Sequence, residues 1–213
     1  MTFTKTLLIA SAVTLSAMSL SACATFTPTP ETNAQDAVET GNYSLDPTHA
    51  SLTFRISHFG VSDYLGRFNT IDGTLDFDEA NPEAAKMVLT AQVDSLDVNN
   101  DSFAETLIGE SWFDASAHPE ARFVLNGITQ TGQDRATATG ELTLKGVTNP
   151  VTFDVRFIGA INNPLTRKYT LGFEAKGSIK RSDYGITRLL SVAGDKFDFD
   201  TVHLHFNGEF QKQ

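Results

Sequence analysis

The chain has 213 residues with 16 basic and 26 acidic side chains, a formal net charge of −10. Such an excess of carboxylates argues against nucleic acid as a partner and against adsorption to anionic lipid through basic patches. Cys23 is the one cysteine, so no internal disulfide can form.

The N-terminus carries Lys5 and then an uncharged run, rich in Leu, Ala, Val and Ser, from Thr6 to Leu20. That run is shorter than the roughly 18–20 apolar residues a bilayer span requires, so it reads as an export signal. It ends in Leu20-Ser21-Ala22-Cys23, which resembles the bacterial lipoprotein box. The resemblance implies a signal peptide over 1–22, acylation of Cys23 and a lipid-anchored protein in the bacterial envelope, facing the periplasm. Ala24 stands where inner-membrane retention would call for aspartate, which favours the outer membrane. Residues 23–41 lack apolar periodicity and read as the lipidated cysteine and a solvated tether. Residues 42–213 suit one domain with a sizeable core.

Within that domain a period of two dominates, the mark of half-buried strands. The first strand sets Leu52, Phe54, Ile56 and His58 on one face. A second stretch runs through Leu65–Phe68 to Ile71–Phe77, and its apolar parity shifts between Phe68 and Ile71, which predicts a bulge. Met87, Leu89, Ala91 and Val93 alternate next. Helical spacing occurs once, from Asn99 to about Trp112, with Asn100 or Asp101 as cap and Phe103, Leu107 and Ile108 on one face. Phe123 and Leu125 follow, then the clearest signal in the chain. Ala138, Gly140, Leu142 and Leu144 share one face, Lys145–Pro150 reads as a turn, and Val151, Phe153, Val155 and Phe157 resume the pattern. Leu171, Phe173, Ala175, Gly177 and Ile179 make another strand, and Val202, Leu204, Phe206 and Phe210 the last. The fold class is all-β: an extended antiparallel barrel of about eight strands with one short helix, a size that holds either packed side chains or one small ligand.

Five motifs then point to a family. They are Asp46-Pro-Thr-His49 with Phe54-x-Ile-x-His58; Gly66-x-Phe68 with Gly73; Trp112-Phe-Asp114 leading to His118-Pro-x-Ala-x-Phe123; Gly140-x-Leu-Thr-Leu-x-Gly146-Val-Thr148; and Ile179-x-Arg-Ser-Asp-Tyr-Gly185. In this order, over roughly residues 43–211, the chain resembles the YceI-like proteins. The resemblance implies a lipocalin-like barrel with a long apolar tunnel that binds polyisoprenoid lipid, such as a polyprenyl phosphate or an isoprenoid quinone. A homodimer is also compatible with it. The segment Ser102–Leu107 departs from the Arg-Asp pair and His that many members carry before the helix Leu.

Periodicity alone leaves the inward face open to an ordinary filled core. The resemblance makes it a lipid-tail wall: Phe54, Ile56, Phe68, Leu142, Leu144, Phe153, Val155, Phe157, Phe173, Leu204 and Phe206. Gly66, Gly73, Gly140 and Gly177 are expected to leave space between the large rings. Head-group candidates are His58, which shares the parity of Phe54 and Ile56, and the rim residues Arg181, Asp183, Tyr184 and Arg188. Either arginine can donate to a phosphate or a quinone carbonyl. A structural turn is the alternative for Arg181–Arg188, and a structural histidine for His58. His203 and His205 share the polar face and, with no further ligands, predict no zinc site. Asp195, Asp198 and Asp200 lack the pattern of a calcium loop. No serine elbow, cysteine nucleophile or phosphate loop is present, so neither catalysis nor a cofactor beyond the bound lipid is expected. The competing function is a non-catalytic envelope interaction module with a filled barrel.

Overall fold

The computed structural model describes residues 38–193 and 197–213. The signal segment, Cys23 and the tether up to residue 37 lie outside them, as does Asp195. Ten strands are present: β1 (Gly41–His58), β2 (Ser62–Phe68), β3 (Ile71–Phe77), β4 (Lys86–Gln92), β5 (Leu96–Asp97), β6 (Glu120–Gln130), β7 (Arg135–Leu144), β8 (Val147–Asn162), β9 (Tyr169–Lys180) and β10 (Thr201–Lys212). They form one antiparallel sheet, and a β1–β10 pairing closes it; the ring of eight omits only β2 and β5.

The two extra strands arise because two long strands are each broken once. One edge of β1 pairs first with β3, at Gly41–Ser44, and then with β2, at Leu52–His58. β2 and β3 are therefore two halves of a single strand bent at Asn69-Thr70, where the parity shift predicts a bulge. The bend is held from outside the strand: the Asn69 amide donates to the Ser95 carbonyl (3.1 Å) and the Thr70 amide to Ser95 Oγ (3.0 Å). β4 and β5 are the matching halves of the next strand. Among the described residues β5 pairs with β2 alone, and α1 (Asp101–Ile108) lies over that gap. Asn100 caps α1 by accepting from the Phe103 amide (3.1 Å). The helix stops four residues short of the predicted Trp112, because Gly109 leaves helical φ/ψ at the C-cap.

Two other boundaries differ from the sequence reading. β1 starts at Gly41 and runs through Asp46–His49, which bulge out opposite Glu209: Leu45 pairs with Phe210 and Ala50 with Gly208. Asp46 closes this bulge, accepting from the Thr48 amide (3.0 Å), Thr48 Oγ1 (2.6 Å), His49 Nδ1 (2.9 Å) and Gln211 Nε2 (2.7 Å). The β7–β8 turn is tighter than Lys145–Pro150. Only Lys145 (φ 51°) and Gly146 (φ 74°) turn, both left-handed, as a two-residue hairpin loop requires. Pro150 sits within β8, opposite Glu141, and β8 meets β9 only from Phe153 onward. Its missing N–H therefore costs no ladder bond.

One tightly packed cluster lies near the end of the barrel where β1 begins. Tyr43, Ala160, Leu171 and Phe210 are each at most 1% exposed there, with Leu45 and Leu75 beside them.

Candidate functional site

The inward faces enclose a cavity of about 810 Å³, within the usual range of small-molecule sites, about 300–1,000 Å³. All eleven residues expected to form the tail wall line it: Phe54, Ile56, Phe68, Leu142, Leu144, Phe153, Val155, Phe157, Phe173, Leu204 and Phe206. At one end the lining reaches Phe59, Leu189 and Phe199, beside the β1–β2 turn and the β9–β10 connection. At the other it reaches Glu83, Gln130 and Arg135, around the β3–β4 connection and the β6–β7 turn. The lumen thus runs from end to end of the barrel. From α1, Phe103 and Leu107 reach the lining and no polar residue does.

Glycine keeps the lumen open, but not by leaving gaps. Phe54 stands opposite Gly66 in the ladder, Phe153 opposite Gly177 and Leu89 opposite Gly73. In each case the larger side chain lies flat over the glycine, and the Phe123 ring covers Gly140 in the same way. A Cβ on Gly177 would come within 2.6 Å of the Phe153 ring. Large rings folded against the wall leave the middle of the barrel empty, so the space is central rather than at the glycines.

The head-group candidates separate. His58 lines the mouth, solvent-exposed, with its ring edge-on to Phe59 at 4.8 Å. Arg181 is not on the rim: it is 6% exposed, lines the lumen, and lies over the Trp112 ring at 5.5 Å. Burial pulls its pKa below the ordinary value, opposed by the charge of Asp200. Asp183 and Arg188 are exposed and outside the lining. Tyr184 is 1% exposed but packs outside the lumen with Leu144 and Ile186. Its hydroxyl faces Asn149, whose amide is committed to the Asp183 carbonyl (2.9 Å), and makes no hydrogen bond of good geometry. Burial raises it to about 12. The reason for this separation is the short turn of 3₁₀ helix at Arg181–Tyr184, ended by left-handed Gly185. It points alternate side chains of one motif into the lumen, into the wall and into water.

Trp112, Ile186, Leu189, Val192 and Phe199 also line the cavity and escape the sequence reading. They sit in connections, where no period of two marks them. Asp46, His49 and Glu209 bring ligand-type atoms within 4.8 Å of one another on the outer surface. Both Asp46 oxygens are already taken by the bulge, so the cluster is accounted for without an ion.

A closed antiparallel barrel around an apolar lumen defines the lipocalin-like architecture. The chain belongs to the YceI-like domain family, whose match spans residues 43–210. It is 39% identical to a UPF0312 protein of Pectobacterium atrosepticum over 71% of this chain and 78% of the relative. Among solved structures it is similar to BcnA of Burkholderia cenocepacia, with a TM-score of 0.66 and 25% identity over 78% of this chain and 98% of that one. A polyisoprenoid binding domain of Saccharophagus degradans, implicated in plant cell wall breakdown, shares the fold, with a TM-score of 0.59 and 19% identity over 82% and 100%.

Proposed function

We propose that the protein binds one amphiphile with an isoprenoid tail in its lumen and stores or carries it, without catalysing a reaction on it. The observation that carries this reading is an apolar lumen that the chain's own side chains do not fill. A filled interaction module would have closed that space. Burying a tail there stabilises the complex by about 0.8 kcal/mol per CH₂ before the losses of freedom on binding. Kinship with a domain named for polyisoprenoid binding favours a branched prenyl tail. We place the protein in the bacterial envelope facing the periplasm, held on the outer membrane through acylated Cys23, since a carrier of a membrane-soluble lipid gains from standing beside its source.

Thermal unfolding of the delipidated protein tests the reading. Saturating isoprenoid quinone or polyprenyl phosphate should raise Tm, because a ligand at a hundred times its Kd adds about 2.7 kcal/mol to the native state. Ala175→Trp, which places an indole in the lumen, should abolish the rise. No shift with any prenyl lipid, or an equal shift in Ala175→Trp, contradicts the reading.

A further inference from the structure

Arg181 has an unusual setting for a guanidinium. Its Nε donates to the Phe199 carbonyl (2.6 Å) and Nη1 to the Ile186 carbonyl (2.9 Å). Nη2 makes no hydrogen bond to any described residue, and no carboxylate among the described residues comes within 4.0 Å. Asp200, the nearby acid, is turned onto Ser182, accepting from its amide (2.9 Å) and its hydroxyl (2.8 Å). The same Asp200 holds the Arg181 backbone, since its carbonyl accepts the Arg181 amide at 3.0 Å. Trp112, Ile186 and Phe199 surround the group with apolar surface.

A guanidinium offers five N–H donors, and two are used. The unused Nη2 keeps accessible surface on the lumen, and a hydrogen bond that an incoming acceptor completes among these apolar walls is strong. The side chain is also pinned by two backbone carbonyls, so little freedom remains to be lost when an acceptor arrives. Arg135, at the opposite end of the lumen, is a poor rival: it is solvent-exposed and only loosely paired with Asp134 at 3.9 Å.

We propose that Arg181 receives an oxygen of the ligand's head group, phosphate or quinone carbonyl, at the β9–β10 end of the lumen. The tail then runs from Trp112 and Phe199 toward the β6–β7 turn. This rests on the reading of the lumen as an isoprenoid site and fixes which way round the lipid lies.

The test uses the delipidated full chain and three probes with tails of equal length: a prenyl phosphate, a prenyl quinone and the head-less prenyl hydrocarbon. The wild type should bind at least one oxygen-bearing probe tenfold or more tighter than the hydrocarbon. A gain for the phosphate alone assigns an anion site, and a gain for the quinone assigns a carbonyl site. Arg181→Met should erase the difference while leaving the hydrocarbon affinity intact, a split that a purely structural role would not produce. Should Arg181→Met fail to fold, the ¹⁵N resonances of the Arg181 guanidinium in the wild type decide. They should move with the oxygen-bearing probe and stay with the hydrocarbon. Equal affinity for all three probes, selectivity surviving in Arg181→Met, or unmoved resonances overturns the assignment while leaving the lumen site standing. Failure of every probe to bind removes the lumen reading itself, and this assignment with it.

Discussion

Leu171 and Leu204 are the same residue on neighbouring strands, both inward, and they have different fates. Leu171 lies in the packed base at 0% exposure, while Leu204 lines the lumen half-buried. Alternation alone does not separate them, because it decides only which face points inward. The boundary between base and lumen coincides with two irregularities. β1 bulges at Asp46–His49, just above Tyr43 and Leu45, and β8 slips register between Phe157 and Gly159, just above Ala160. Bulges bend and twist a strand, which draws the wall inward until Tyr43, Leu171 and Phe210 meet. Above the bulges the glycines let Phe54, Phe123 and Phe153 fold against the wall. A barrel of one composition is thus packed solid where β1, β8, β9 and β10 meet near the start of β1, while the lumen passes beside that cluster toward the β6–β7 turn.

The largest expected effect tests that contrast directly. Leu171→Ala should cost about 2–5 kcal/mol, the transfer term plus a cavity. Leu204→Ala should cost only about 1 kcal/mol, since its side chain already borders empty space. Chemical denaturation of the lipid-free protein measures both, and equal costs would mean that the lumen collapses in solution. Gly177→Ala should come next, at about 1–3 kcal/mol. The new methyl drives the Phe153 ring off the wall into the lumen, so prenyl-lipid affinity should fall along with stability. Stability lost with affinity retained would show that the ring is not what keeps the space open.

The smallest effect concerns the bulge itself. Hydrogen bonding to Asp46, and the charges of Asp46 and Glu209, hold the His49 pKa above its ordinary value of 6.5. A histidine with a raised native pKa stabilises fully below the unfolded value and loses that stabilisation as pH climbs through the native one. Burial pushes the Asp46 carboxyl up, but hydrogen bonds from Thr48 and His49 outweigh it and leave its pKa lowered. Its contribution is therefore present above the ordinary carboxylate value and fades in acid. His49→Gln should abolish a small loss of stability on raising the pH above about 6.5, seen as a Tm difference between mildly acidic and alkaline buffer. A profile unchanged in the variant would remove His49 from the bulge's stability. Because His49 is largely exposed, the effect should be modest.

Much of this was legible in the chain, and what was not has a physical reason. A period of two marks every long strand, and the broken parity at Phe68–Ile71 marks the bend. The eleven wall residues follow from parity, since side-chain direction along a strand is local. Whether those side chains meet across the barrel depends on register shifts between strands far apart in sequence, and no local pattern encodes that. The motif Arg181–Tyr184 failed for the opposite reason: it is local, but a 3₁₀ turn replaces the strand alternation that would have told inward from outward. Trp112 and Phe199 lie in connections and reach the lumen only because the fold brings them there.

A polyisoprenoid lipid bound as proposed should travel with the protein out of the cell. Native mass spectrometry of the full chain, purified from its own envelope without added lipid, tests it most directly. The expected result is one bound lipid per barrel whose fragments show the repeating five-carbon units of a prenyl tail. A barrel recovered empty, or loaded only with straight-chain acyl lipids, would contradict it.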